Sequence, residues 1–144
     1  FDKQEAAKNF EKLNSLIDVV LVGGSMLSET RTAMVIDDLR KITSLPVVLF
    51  PGNALQVTEN ADAILFLQLI SGRNPEFLIG QHVHAAPLIA RTNMEVIPTS
   101  YILIDGGKRT SVEYISQSMP IPADKTDIFI LMGNMNGNCV RLFQ

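Results

Sequence analysis

The feature that most constrains this chain is a series of nearly continuous apolar runs, each followed by a segment with helical spacing. Asp18-Val19-Val20-Leu21-Val22 stops at Gly23-Gly24-Ser25. Leu45-Pro46-Val47-Val48-Leu49-Phe50 stops at Pro51-Gly52-Asn53, and a third run extends from Ala61 to Ile70. Continuous rather than alternating apolarity marks strands buried on both faces, as parallel sheets require. Pro46 stands at a strand start, where a missing N–H is tolerated.

Between the runs lie predicted helices. From Gln4 to Ile17, Phe10, Leu13 and Ile17 recur at spacings of three and four. From Glu29 to Thr43, Val35, Ile36, Leu39 and Ile42 form an inner stripe, and Asp37 precedes Lys41 by four residues on the outer face with Asp38 beside it. Asn74-Pro75-Glu76 opens another helix as N-cap, first helical residue and first-turn acid, and Pro87 is expected to kink or end it. Val96-Ile97 and Tyr101 to Ile104 form a fourth strand, ending at Asp105-Gly106-Gly107. A short strand or bend is expected at Val112 to Ile115, then a proline-marked loop from Met119 to Pro122. A last helix spans Lys125 to Met135, and a strand begins at Cys139 and reaches Phe143.

Strand–helix alternation with short connections implies a parallel α/β fold. Both an open doubly wound sheet and a closed barrel use such strands, and both place function at the carboxyl ends. Those ends carry Gly23-Gly24-Ser25, Pro51-Gly52-Asn53, Ser71-Gly72-Arg73-Asn74 and Asp105-Gly106-Gly107. Residues of this kind form a polar rim suited to oxyanions. At any single end they can equally serve only to turn the chain.

Composition narrows the function classes. Hydrophobic residues make up 47% of the 144 residues and charged residues 19%, which suits a packed core rather than a disordered chain. The net charge of -3, with no basic cluster, argues against nucleic acid. One cysteine, Cys139, excludes a disulfide framework and a Cys-rich zinc site. No apolar run reaches the roughly 18–20 residues of a membrane span, and the N-terminus has no signal-peptide shape. The chain begins without Met and stops inside what reads as a strand, so both ends are expected to be cut.

The ordered motifs carry a resemblance. Val22-Gly23-Gly24-Ser25, Pro46 to Asn53 and Ala61-Asp62-Ala63-Ile64-Leu65-Phe66 resemble consecutive strand motifs of the geranylgeranylglyceryl phosphate synthase (PcrB-like) family. Leu69 to Pro75, Ile79-Gly80-Gln81, Ala86-Pro87, Val96 to Tyr101, Gly106-Gly107, Ser111-Val112, Tyr114 and Pro120-Ile121-Pro122 follow in the same order. The resemblance covers about Val19 to Val140.

It implies a parallel (β/α)8 TIM barrel, here one partial domain over residues 1–144 holding roughly strands 2–6. It also implies a Mg²⁺-dependent cytoplasmic prenyltransferase of phospholipid biosynthesis. Such an enzyme joins geranylgeranyl diphosphate to sn-glycerol 1-phosphate, releases a membrane-associated ether lipid precursor and is expected to be a homo-oligomer. The chain alone, lacking barrel strands one, seven and eight, is expected to be inactive. The alternative reading is a doubly wound phosphate- or nucleotide-binding module, which requires an open sheet whose strand order reverses.

By resemblance Ser25 is the metal-associated position, Gly24 contributes to substrate binding, and Tyr101 lies near the prenyl site. No catalytic residue is assigned. A lone hydroxyl binds Mg²⁺ weakly, and the family's assisting Asp-Pro-Asp-Lys segment is not in this chain. Helix capping or turn formation is the alternative for Ser25, and an ordinary strand aromatic is the alternative for Tyr101. Leu65, Phe66 and Leu67 suit an apolar interior or simple core packing.

Arg141, Leu142, Phe143 and Gln144 replace the family's Tyr-Leu-Glu or Tyr-Met-Asp stretch, which removes its carboxylate. His82 and His84, two apart, cannot share a metal from one helix and read as solvated or capping. Asp37 and Asp38 read as solvent-facing, Asp105 as a turn acid, and Cys139 as lacking a base partner.

Overall fold

A computed structural model describes residues 3–13, 15–24, 29–135 and 140–143. Contacts gather these into two compact units. One comprises Phe1–Ile64 with Leu88–Glu95, the other Leu65–Pro87 with Val96–Gln144.

In the first unit, helix α1 (Lys3–Leu13) precedes strand β1 (Val20–Gly24), helix α2 (Glu29–Leu39) and strand β2 (Val47–Pro51). Strand β3 (Ala63–Leu69) starts here. β1 pairs parallel with β2 from Val20↔Val47 to Gly24↔Pro51, and β2 pairs parallel with β3 at Val48↔Ala63 and Leu49↔Ile64. Val47, Val48 and Leu49 are all buried, as are Ala63 and Ile64, which is the two-sided burial that their unbroken apolar runs predict. At Gly23 the strands approach so closely that a Cβ would stand 1.7 Å from the Phe50 carbonyl oxygen.

α2 packs Thr32, Ile36 and Leu39 inward, a stripe of three- and four-residue spacing. Its end differs from expectation. The helix stops at Leu39, so Ile42 falls outside it and is exposed. Lys41 pairs with Asp38 at 3.1 Å rather than with Asp37. The Asp37 carboxylate instead accepts from Asn60 Nδ2 at 2.7 Å. α1 likewise ends at Leu13, before Ile17.

The second unit holds the rest of β3, most of helix α3 (Gln81–Ile89), strand β4 (Glu95–Ile102), helix α4 (Ser111–Ser116), helix α5 (Thr126–Met135) and strand β5 (Val140–Phe143). The expected N-terminal signal at Asn74 is present, since its Oδ1 accepts from the Glu76 N–H at 3.0 Å. The first turn, Glu76–Gly80, is a π-helix, which the sequence reading did not foresee. α3 continues two residues beyond Pro87 to Ile89. β4 runs unbroken through Pro98, and its parallel ladder with β5 starts one residue later, at Thr99↔Val140.

Val112 to Ile115 is a helix, not a strand or bend. Thr110 accepts from the Glu113 N–H while the Glu113 carboxylate accepts from the Thr110 N–H, a complete capping box. Gln117 then ends the helix in the left-handed region, at φ 51°. The proline loop returns as a parallel bridge. Ile121 N–H donates to Leu103 O, and Asp105 N–H donates to Ile121 O, both at 2.9 Å.

The strand order, β1-β2-β3 and then β3-β4-β5, follows the sequence without reversal. A doubly wound module needs a reversal, so that alternative does not match the observed topology.

Candidate functional site

The polar strand ends form in each unit separately. In the first, β1 ends at Gly24 and β2 at Pro51, beside a 3-10 turn, Ala54–Gln56. Asn53 caps this turn by accepting from the Leu55 N–H at 2.9 Å. Gln56 is fully buried. Its Nε2 donates to the Gly24 carbonyl at 2.7 Å and its Oε1 accepts from the Gly52 N–H at 3.0 Å. One side-chain amide thus fastens the carboxyl ends of both strands. Gly24, expected at a substrate site, has its carbonyl engaged by this amide. Ser25, the expected metal position, lies outside the described residues.

In the second unit, Ser71 follows β3 and its Oγ accepts from the Leu103 N–H at 2.8 Å. Asn74 Nδ2 donates to the Ser116 carbonyl at 2.7 Å, tying the segment after β3 to the end of α4. Asp105 accepts from the Gly107 N–H at 2.8 Å, with Gly107 at φ 78°, so it plays the expected turn role. Beyond β4 a groove of ≈ 770 Å³ is lined by Asp105, Arg109, Glu113, Tyr114, Met119 and Pro120 among others. Tyr114 and Met119 are exposed there, an apolar contribution beside three charged groups.

Tyr101 is buried in β4, and its carbonyl accepts from the Ile70 N–H at 3.1 Å. Burial raises its phenol above the ordinary tyrosine range. Leu65 is buried, whereas Phe66 stacks on His82, centroids 3.7 Å apart at 18°. His82 Nε2 lies 2.6 Å from the Leu67 carbonyl, so the ring that was expected to be solvated or capping is anchored to β3. His84 is exposed on α3.

Sequence reading missed three further groups. Asp62, which interrupts an apolar run, accepts the Val47 N–H at 2.7 Å and pairs with Arg40 at 2.8 Å. Arg40 and the Val47 amide hold its carboxyl below the usual range. Its position among aliphatic residues was the available signal. The other two are the Ser100 and Ser116 hydroxyls, buried without a hydrogen-bond partner among the described residues. Nothing in the sequence separates them from ordinary serines.

Among the described residues no three His, Cys, Asp or Glu side chains gather as a metal site, and no helix is long and apolar enough to cross a membrane.

Parallel strands in sequence order with polar carboxyl ends define this chain as a portion of a (β/α)8 barrel, covering roughly strands 2–6. The PcrB family profile matches residues 2–136, and the chain belongs to that family. The chain is 52% identical over 112 residues to the geranylgeranylglyceryl phosphate synthase of Spirosoma linguale, covering 78% of this chain and 45% of the relative. It is 44% identical over 118 residues to the protein of that name from Zunongwangia profunda, covering 82% and 50%. The chain therefore spans about half the length of these curated relatives.

Among solved structures it resembles (S)-3-O-geranylgeranylglyceryl phosphate synthase from Thermoplasma acidophilum in complex with the substrate sn-glycerol-1-phosphate. The TM-score is 0.87 at 28% identity, over 100% of this chain and 60% of that one. The wild-type GGGPS from Thermoplasma volcanium gives a TM-score of 0.85 at 25% identity, over 100% and 59%.

Proposed function

We propose that the protein to which this segment belongs transfers a geranylgeranyl group from its diphosphate to the 3-hydroxyl of sn-glycerol 1-phosphate. The observation that carries the reading is the identity with geranylgeranylglyceryl phosphate synthases, 52% and 44% over about four fifths of the chain. A solved neighbour in complex with sn-glycerol-1-phosphate supports the acceptor substrate.

The hydroxyl oxygen forms an ether bond to the first prenyl carbon as the carbon–oxygen bond to diphosphate breaks. The proton leaves the hydroxyl and the diphosphate leaves with the electron pair. Negative charge grows on the leaving group, so aimed N–H donors lower the barrier. The allylic carbon becomes cation-like, so water must be kept away. This chain contributes strand ends with their backbone amides. In this reading Gly24 belongs to the substrate-binding rim, and Tyr101, buried with a phenol that stays protonated, borders the prenyl chain.

Mg²⁺ dependence belongs to the same proposal. The described residues of this chain do not by themselves fit a magnesium site, and no chemical step is assigned to the metal. With Ser25 as one metal-associated hydroxyl, the carboxylates come from outside this segment. A cytoplasmic, homo-oligomeric parent that hands its product to the membrane completes the reading, with the 144-residue chain as one inactive partial-barrel domain.

The test is to assay the full-length parent with geranylgeranyl diphosphate and sn-glycerol 1-phosphate, with and without Mg²⁺, beside the isolated chain. Ether product from the parent alone, only with Mg²⁺, is the expected result. No product from the parent removes the proposed function, and turnover by the isolated chain removes its predicted inactivity.

A further inference from the structure

Gln56 is among the most thoroughly enclosed polar side chains of the first unit, and the reaction written above makes no use of it. Its relative exposure is 0%, yet both ends of its amide are occupied by backbone. A buried side-chain amide must satisfy its donors and acceptor or bear an uncompensated desolvation penalty. Here Nε2 reaches Gly24 O at 2.7 Å and Oε1 receives Gly52 N–H at 3.0 Å. The last register pair of the two strands is Gly24↔Pro51. The amide therefore takes over where the parallel ladder stops. Strand hydrogen bonds cannot hold the two chains together beyond that point, and Gly24 and Gly52 are both residues with little side-chain anchorage of their own. Gly24 is also the residue immediately before Ser25.

We infer that Gln56 is a positioning residue, which fixes the Gly24 carbonyl and the Gly52 amide and so sets the backbone at this rim of the proposed prenyl-transfer site. The inference rests on the proposed function, since it concerns the geometry on which that transfer depends. Small displacements of groups at a reacting centre lower turnover strongly even when binding persists. Gln56 touches no reacting atom and acts through the two strand ends.

The experiment uses the full-length parent, with Gln56→Met to remove both hydrogen bonds at similar volume and Gln56→Glu as the conservative variant. A protonated glutamic acid has one O–H donor and one carbonyl acceptor, the same pattern as the amide, whereas the ionised form has no donor for Gly24 O. Amide hydrogen exchange over residues 20–24 and 52–57 is measured alongside steady-state kinetics with both substrates and the thermal melt. Gln56→Met is expected to speed exchange in these two segments and to lower kcat by about tenfold, with both KM values within about twofold. Gln56→Glu should regain wild-type kcat, relative to wild type at the same pH, as pH falls.

Unchanged exchange and kcat well below the melting temperature overturn the inference. So does a loss that follows only the unfolded fraction, which is all that a plain structural brace would give. Should Gln56→Met fail to fold, the pH series of Gln56→Glu decides by the same criteria. A wild-type parent that turns over neither substrate removes the proposed function instead. Exchange alone then decides the positioning: loosening confined to the two segments upholds it, and none removes it.

Discussion

One oxygen of the Asp62 carboxylate lies 2.8 Å from Arg40 Nη2, and the other accepts the Val47 N–H at 2.7 Å. The backbone of the same residue donates to Val47 O and accepts from Glu95 N–H. Asp62 thereby joins the amino-terminal ends of β2 and β4 and the end of α2, opposite the strand ends where barrels place chemistry. Asp62→Asn keeps an acceptor for Val47 and loses the ion pair. Because that pair is about half exposed, we expect a loss of under about 1 kcal/mol. Asp62→Ala loses both contacts and is expected to cost about 1–2 kcal/mol in urea unfolding. Equal losses from the two substitutions would contradict this division.

The same carboxylate gives an acid limb to the stability curve. Arg40 and the Val47 amide depress its folded pKa below the unfolded value. The unfolded state therefore binds the proton more readily as pH falls. The stabilisation is present above the ordinary aspartate value of 3.8 and is lost as pH falls through the depressed value. In Asp62→Asn this part of the acid-side decline should be missing, as read from unfolding midpoints between about pH 5 and 2.

Tyr101 sets the opposite limb. Burial raises its folded pKa, so the unfolded state ionises first and stability falls as pH rises from about 10. Tyr101→Phe should flatten that decline, as read from unfolding midpoints above about pH 9. An unchanged alkaline slope would show that other groups govern it.

Gly23→Ala tests the close approach of β1 and β2. A methyl group there would meet the Phe50 carbonyl oxygen at 1.7 Å, and neither partner is a flexible side chain. We expect a loss of about 3 kcal/mol or more by chemical denaturation, as for overpacking that backbone must relieve. A wild-type midpoint would mean that the strands separate at little cost.

The strand order was legible because two-sided burial leaves a mark that needs no tertiary information. Val47 to Leu49 and Ala63 to Leu65 are buried without a break, as their aliphatic runs imply. Where a local device overrode apolar content, the reading failed. Val112 and Ile115 suggested a strand, although Thr110 and Glu113 supplied the capping box that makes the segment helical. The fourth strand was expected over Val96-Ile97 and Tyr101 to Ile104, but β4 runs from Glu95 to Ile102 through Pro98, which stands just outside the ladder with β5. The site was less legible than the fold. Gly24 lies at a strand end as expected, but the side chain that fixes it comes from a residue thirty-two positions away, |i−j| = 32. No local pattern distinguishes such a glutamine from one in solvent. His82 shows the same limit, since its partners Phe66 and Leu67 are brought to it by the fold.

The bridge between Ile104 and Ile121 closes the chain on itself around everything from Asp105 to Pro120. Both its hydrogen bonds lie at the base of that excursion, where Leu103 and Asp105 alternate with Ile121. A tied base insulates the strand from whatever happens at the tip. Loops so anchored accept changes of length and composition that the sheet would refuse. Within it, the bond from Asn74 to the Ser116 carbonyl and the burial of Ser116 and Ser118 fix the end of α4, so the stretch open to replacement is the exposed one from Asp105 to Arg109.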